Sequence, residues 1–165
     1  MAITKFLHAD SLTSTPFDVG AARWQASLST ILTPLIPLLD AGIQPWAGVF
    51  SHSHPVARPM RSLWVQWLRQ AQKDHCFWCQ GPLTHQTLTI EHVLPRSESL
   101  WQSATWVERL LALRLSHLTC NQASADWRQR QQPTTLRTMD RRVLQIIRTA
   151  IHHHPILQLY QYQAQ

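Results

Sequence analysis

The sequence predicts an α+β fold, mostly helical, in which helical extensions flank a small core of two strands and one helix. Three observations predict it. Apolar residues recur at spacings of three and four in several stretches, most clearly Leu136, Met139, Val143, Ile146, Ile147, Ala150 and Ile151, which is the helical period. Strand-like alternation of apolar and polar residues is confined to two short runs, 87–90 and 111–115. Around those runs stand Cys76 and Cys79 in a CxxC turn and His117 and Cys120 in an HxxC pair. Such a set closes a tetrahedral structural zinc site. Two short strands and a helix bury too little apolar surface alone, and a zinc ion supplies the missing folding free energy. A redox CxxC is the competing reading, but it leaves His117 and Cys120 without a purpose.

The chain has 165 residues, enough for one domain with a buried core plus extensions. We divide it into an irregular or helical N-terminal extension (1–60), the core (61–131), and a C-terminal helix and tail (132–165). The formal net charge is +6, and the cations are mostly Arg, spread from Arg23 to Arg148. That balance suits a polyanion, because the guanidinium fork matches phosphate oxygens, although charge alone also suits an ordinary basic protein. Three cysteines are an odd number, and their place beside histidines argues for metal ligation rather than disulfides, hence a reducing compartment. No signal segment opens the chain, and Pro34, Pro37 and Asp40 interrupt the longest apolar stretch. The expectation is a soluble cytoplasmic protein with no membrane partner.

Residues 1–20 show little periodicity and read as irregular. From residue 21 a core-facing helix is predicted, with Trp24, Leu28, Ile31 and Leu32 at helical spacing, until Pro34 and Pro37 kink or end it. Residues 42–60, with Pro45, Pro55 and Pro59, read as a linker in which His52 and His54 are solvated. Ser62 caps a predicted helix over 63–73 that carries Trp64, Trp67, Leu68 and Ala71 on one face. Gly81-Pro82 turns the chain after the CxxC pair, and a strand over 87–90 ends at Glu91 and His92. A polar loop follows, then a strand over 111–115, where helical spacing of Val107, Leu110 and Leu111 fits nearly as well. A helix over 118–130 places Asn121 in its first turn. The last helix starts at Pro133. It turns its apolar stripe to the core or an oligomer contact, and Arg137, Arg141, Arg142 and Arg148 to solvent or phosphate.

Cys76-x-x-Cys79, then Glu91-His92-Val93-x-Pro95-x-Ser97, then Leu113-Arg-Leu-Ser-His117-x-x-Cys120-Asn121 together resemble the HNH endonucleases, the ββα-metal or His-Me finger nucleases. The resemblance covers 76–127. It implies a zinc-stapled ββα-metal core in which His92 is the general base that takes a proton from the attacking water. It implies that Glu91 and Asn121 are oxygen ligands of a catalytic divalent ion, Mg2+ or Mn2+, with zinc as the separate structural metal. Arg96, just past Pro95, is the candidate substrate-phosphate contact.

The chain departs from that pattern in three places. Ala112 stands where the family carries an Asn that supports the loop bearing the histidine, with Ser116 or Glu108 as candidate substitutes. Ser124 stands where a basic residue is usual, and the segment from His92 to Cys120 is longer than the common form. The reading is a metal-dependent HNH endonuclease acting on nucleic acid, expected to be DNA. The resemblance further suggests a prokaryotic antiviral defence or mobile-element setting, with an ATPase or guide complex as protein partner. The alternative is a catalytically degenerate zinc-stapled module for nucleic-acid binding or assembly.

Overall fold

The computed structural model describes residues 27–28, 30–37, 41, 57–96, 99–155 and 157. The irregular segment 1–20, Trp24, Trp46, the histidines at 52 and 54, and Ser97 and Glu98 lie outside the described residues. Helical residues 30–37 (α1) run through Pro34 rather than ending there. An interior proline costs about 3 kcal/mol. Leu28, Ile31, Leu32 and Leu35 are all buried, and at about 1.5–3 kcal/mol per buried side chain they outweigh it.

Helix α2, Ala57–Gln72, begins ahead of the expected boundary. Pro59 falls in its first turn, where a missing N–H has no intrahelical partner anyway, so the proline starts this helix and Ser62 is interior to it. Trp64 and Leu68 are buried, and Trp67 meets Trp64 edge to face at 5.4 Å. Past α2 the chain passes through the CxxC turn to strand β1, Leu88–His92.

β1 pairs antiparallel with β2, Leu113–His117, in the register Leu88↔His117 to His92↔Leu113. Between them come helices α3, Ser99–Ser103, and α4, Trp106–Leu111. The expected polar loop is thus partly helical, because Trp101 is buried and pins α3 down. α4 opens with a capping box: Thr105 accepts from the Glu108 N–H, and the Glu108 side chain accepts from the Thr105 N–H at 2.7 Å. Its buried Val107, Leu110 and Leu111 take the helical period, and strand alternation starts only at Leu113.

The Gln72 amide clamps the outer edge of β2: its Nε2 donates to Leu115 O at 2.9 Å and its Oε1 accepts from Leu115 N at 2.7 Å. β2 passes straight into α5, Leu118–Gln129, which packs on both strands. α6, Pro133–His152, packs on α4 and buries Met139, Val143, Leu144, Ile147 and Ile151. Its Arg face is not uniformly solvated: Arg148 Nε lies 2.6 Å from Oε1 of the buried Glu108. Among the described residues no helix is long and apolar enough to cross a membrane.

Candidate functional site

The two ligand pairs meet because the CxxC turn docks on β2, the strand that ends in His117. α2 ends in left-handed turns at Lys73 and Asp74, φ 51° and 56°, which deliver Cys76 beside β2. The CxxC turn then folds on itself: the Cys76 N–H donates to Gly81 O at 2.8 Å, and the Gln80 N–H, at φ 60°, donates to Cys76 O at 3.1 Å. The Phe77 N–H donates to Leu115 O at 2.9 Å, which fastens the turn to the strand that carries His117. The ligand atoms of Cys76, Cys79, His117 and Cys120 all lie within 4.8 Å of one another.

His117 Nδ1 is 3.3 Å from Cys79 Sγ and 3.7 Å from Cys120 Sγ, while its Nε2 is 2.9 Å from Pro82 O. An Nε2–H donated to that carbonyl leaves the Nδ1 lone pair facing the sulfurs, the arrangement a ligating histidine needs. None of the three cysteines forms a disulfide. Burial pushes the Cys76 and Cys120 thiols up. At Cys79 burial also raises the thiol, but the Gly81 N–H and the neighbouring thiols bring it below its ordinary value. The four residues are able to hold a metal ion such as zinc, whose charge stabilises the thiolates that burial opposes.

A second arrangement lies at the other end of β1. A cleft of about 520 Å³ is lined by Glu91, His92, Arg96, Asn121, Ser124 and Arg128, among others. The four residues singled out by sequence as catalytic or substrate-binding therefore share one space. β1 supplies Glu91 and His92 at its end. Arg96 follows β1 in the connecting segment, and α5 supplies Asn121 from its first turn, Ser124 from its second and Arg128 from its last, all on one face. Asn121 Nδ2 donates to Ile90 O at 3.3 Å and holds α5 against β1.

Glu91 is 5% exposed, and Ser124 Oγ donates to its Oε1 at 3.3 Å. Its Oε2 is buried with no hydrogen-bond partner. Burial pushes its pKa up to about 7, and Ser124, Trp78 and the charge of Arg128 only partly oppose this. Trp78 Nε1 is itself buried outside hydrogen-bond geometry, so its pull on Glu91 is weaker than a formed bond. The His92 ring stands edge-on to Trp101 at 5.3 Å. Burial, then the charges of Arg96 and Arg61, lower its pKa to about 4 and hold the imidazole neutral.

Ala112, where the resemblance calls for Asn, offers its backbone instead: its carbonyl accepts from the Val93 N–H at 3.1 Å, one residue past His92. Neither proposed substitute takes that role. Glu108 is engaged by Thr105 and Arg148, and Ser116 lies opposite Thr89, away from the strand end. No family model matches the chain, and neither a curated protein nor a solved structure gives a match. The site accordingly rests on its own geometry.

Two residues at the cleft carry more than the sequence reading assigned them. Ser124 is the hydrogen-bond partner of Glu91 rather than simply a missing cation. Arg128 belongs to no motif of the sequence, and only its spacing from Asn121 places it on the same face of α5.

Proposed function

We propose that the chain is a metal-dependent HNH-type endonuclease that hydrolyses phosphodiester bonds in DNA. The observation that supports it most is the meeting of Glu91, His92, Arg96 and Asn121 at one cleft, at the other end of β1 from the Cys76, Cys79, His117 and Cys120 cluster. Its volume, about 520 Å³, falls within the range of roughly 300–1,000 Å³ usual for small-ligand sites.

In this reading His92 takes the proton of the attacking water, and its burial keeps it in the proton-accepting form. The backbone bond from Val93 to Ala112 keeps the end of β1 in place. Arg96 holds the substrate phosphate by its guanidinium fork. Glu91 and Asn121 would hold a divalent ion, Mg2+ or Mn2+. The donor set fits: Glu91 Oε2 has no other partner, and Asn121 donates through Nδ2, which leaves its amide oxygen as an acceptor. When bound, such an ion supplies positive charge beside the scissile phosphate and the leaving 3′ oxygen. The Cys3His cluster, as a structural zinc site, folds the core and takes no part in the chemistry. A cytoplasmic location, an ATPase or guide-complex partner and a defence or mobile-element setting belong to this proposal by resemblance alone.

The test is plasmid cleavage by zinc-loaded wild type and His92→Ala, with Mg2+ or Mn2+ and without either. Nicking or cutting by wild type alone, and only with the divalent ion, is the expected result. Equal cutting by both proteins would remove His92 from the mechanism. The burial of Glu91 and the alanine at 112 favour a second reading, a degenerate binding or assembly module. DNA retention with zinc bound and no cutting under any condition would assign that one instead.

A further inference from the structure

Arg128 of α5 lines the cleft, and its side chain is only 14% exposed. Its Nη2 donates to both carboxylate oxygens of Asp140 on α6, at 2.9 and 2.8 Å. Asp140 is 1% exposed, so the pair ties the C-terminal helix to the floor of the cleft. Only one of the three guanidinium nitrogens is engaged: among the described residues, Nε and Nη1 make no hydrogen bond.

A salt bridge that merely fastened two helices would not need charge, because buried ion pairs are often replaced by apolar residues without loss of stability. Nor would it need three N–H donors left over at a cleft wall. A guanidinium whose one nitrogen is held by a carboxylate has its remaining N–H groups fixed in direction, ready for two oxygens of an anion such as a phosphate.

We infer that Arg128, oriented by Asp140, binds a phosphate of the nucleic-acid backbone in the cleft, so that α6 completes the substrate site. This rests on the nuclease reading above and extends it. Asp140 is a positioning residue, since it reaches the substrate only through Arg128. The C-terminal helix is then part of the site rather than an appendage to the core.

The test is binding of a fluorescein-labelled DNA duplex by the zinc-loaded full chain over a series of salt concentrations, without Mg2+ or Mn2+ so that nothing is cut. Wild type is compared with Arg128→Lys, Asp140→Asn and the double variant Arg128→Met/Asp140→Leu, which removes both members of the pair. Zinc content and thermal melting are read on each. The double variant is expected to bind about tenfold more weakly, with the slope of log K against log salt shallower by about 1, as for one lost phosphate contact. Arg128→Lys should keep the slope and lose affinity, since a single ammonium cannot be held by Asp140 and also present a fork.

Asp140→Asn separates positioning from bulk charge. Its binding should weaken although the protein has gained net positive charge, and tighter binding would overturn the positioning role. A folded double variant with wild-type affinity and slope would overturn the inference, while plasmid cutting by wild type would leave the nuclease reading standing. If the double variant fails to fold, Arg128→Lys decides, and unchanged affinity rejects the fork. Wild type that neither binds the duplex nor cuts a plasmid would reject both.

Discussion

Glu91 and His92 are neighbours on one strand, and burial drives their proton equilibria in opposite directions. Glu91 titrates near 7 in the folded chain against an ordinary 4.5, so its contribution to stability is fully present below 4.5 and is lost as pH rises through about 7. His92 titrates near 4 against an ordinary 6.5, so its contribution is present above 6.5 and is lost as pH falls toward about 4. Zinc-loaded protein without other divalent ions should therefore melt at lower temperature on both sides of mildly acidic pH. Glu91→Gln should flatten the alkaline limb alone and His92→Gln the acid limb alone, as read by circular dichroism across pH. A variant that leaves its own limb unchanged would show that burial is not the cause. If His92 is the general base as proposed, His92→Ala should lower kcat in cleavage assays by about 100-fold or more, the usual share of such a group, with metal content unchanged.

At the scale of the element, two small devices hold the segment that carries the site. Thr105 and Glu108 cap α4, and Thr105→Ala should cost about 1 kcal/mol in urea denaturation. The Gln72 amide acts as a missing third strand, since it pairs both backbone groups of Leu115. Gln72→Ala leaves the Leu115 N–H without that acceptor, and the expected loss is about 1–3 kcal/mol. A loss near zero would mean that water replaces the amide, and that the clamp is ornamental. Both variants should keep their zinc, because neither side chain touches the ligand set.

For the whole molecule, if the Cys76, Cys79, His117 and Cys120 cluster holds zinc as proposed, the ion decides whether there is a core to dock on. Binding of structural zinc is worth about 10–16 kcal/mol in small zinc peptides. That is comparable with the roughly 5–15 kcal/mol stability of an ordinary domain. Chelation of zinc, or Cys79→Ser, should accordingly abolish the cooperative melt, and added Mg2+ should not restore it. A chelated protein with an unchanged melt would make the Cys3His cluster incidental to the fold. α6 adds the complementary half, burying Val143 and Ile147, lining the cleft with Leu136 and holding the cleft residue Arg128 through Asp140.

Much of the molecule is local enough to be read from the chain. The CxxC and HxxC pairs are set by ligand chemistry over three-residue spacings, the starts of α5 and α6 by helix period and Pro133, and β1 by alternation. Those signals act between near neighbours, so the sequence by itself determined a set of residues able to hold a metal and the order of strand, strand and helix. Tertiary structure decided the rest. Pro59 opens a helix instead of closing a linker, and Trp101 turns a polar stretch into α3 by being buried. Ser124 meets Glu91 and Arg128 meets Asp140 only when β1, α5 and α6 pack together. Burial and partner choice depend on residues distant in the chain, whereas period and ligand spacing do not.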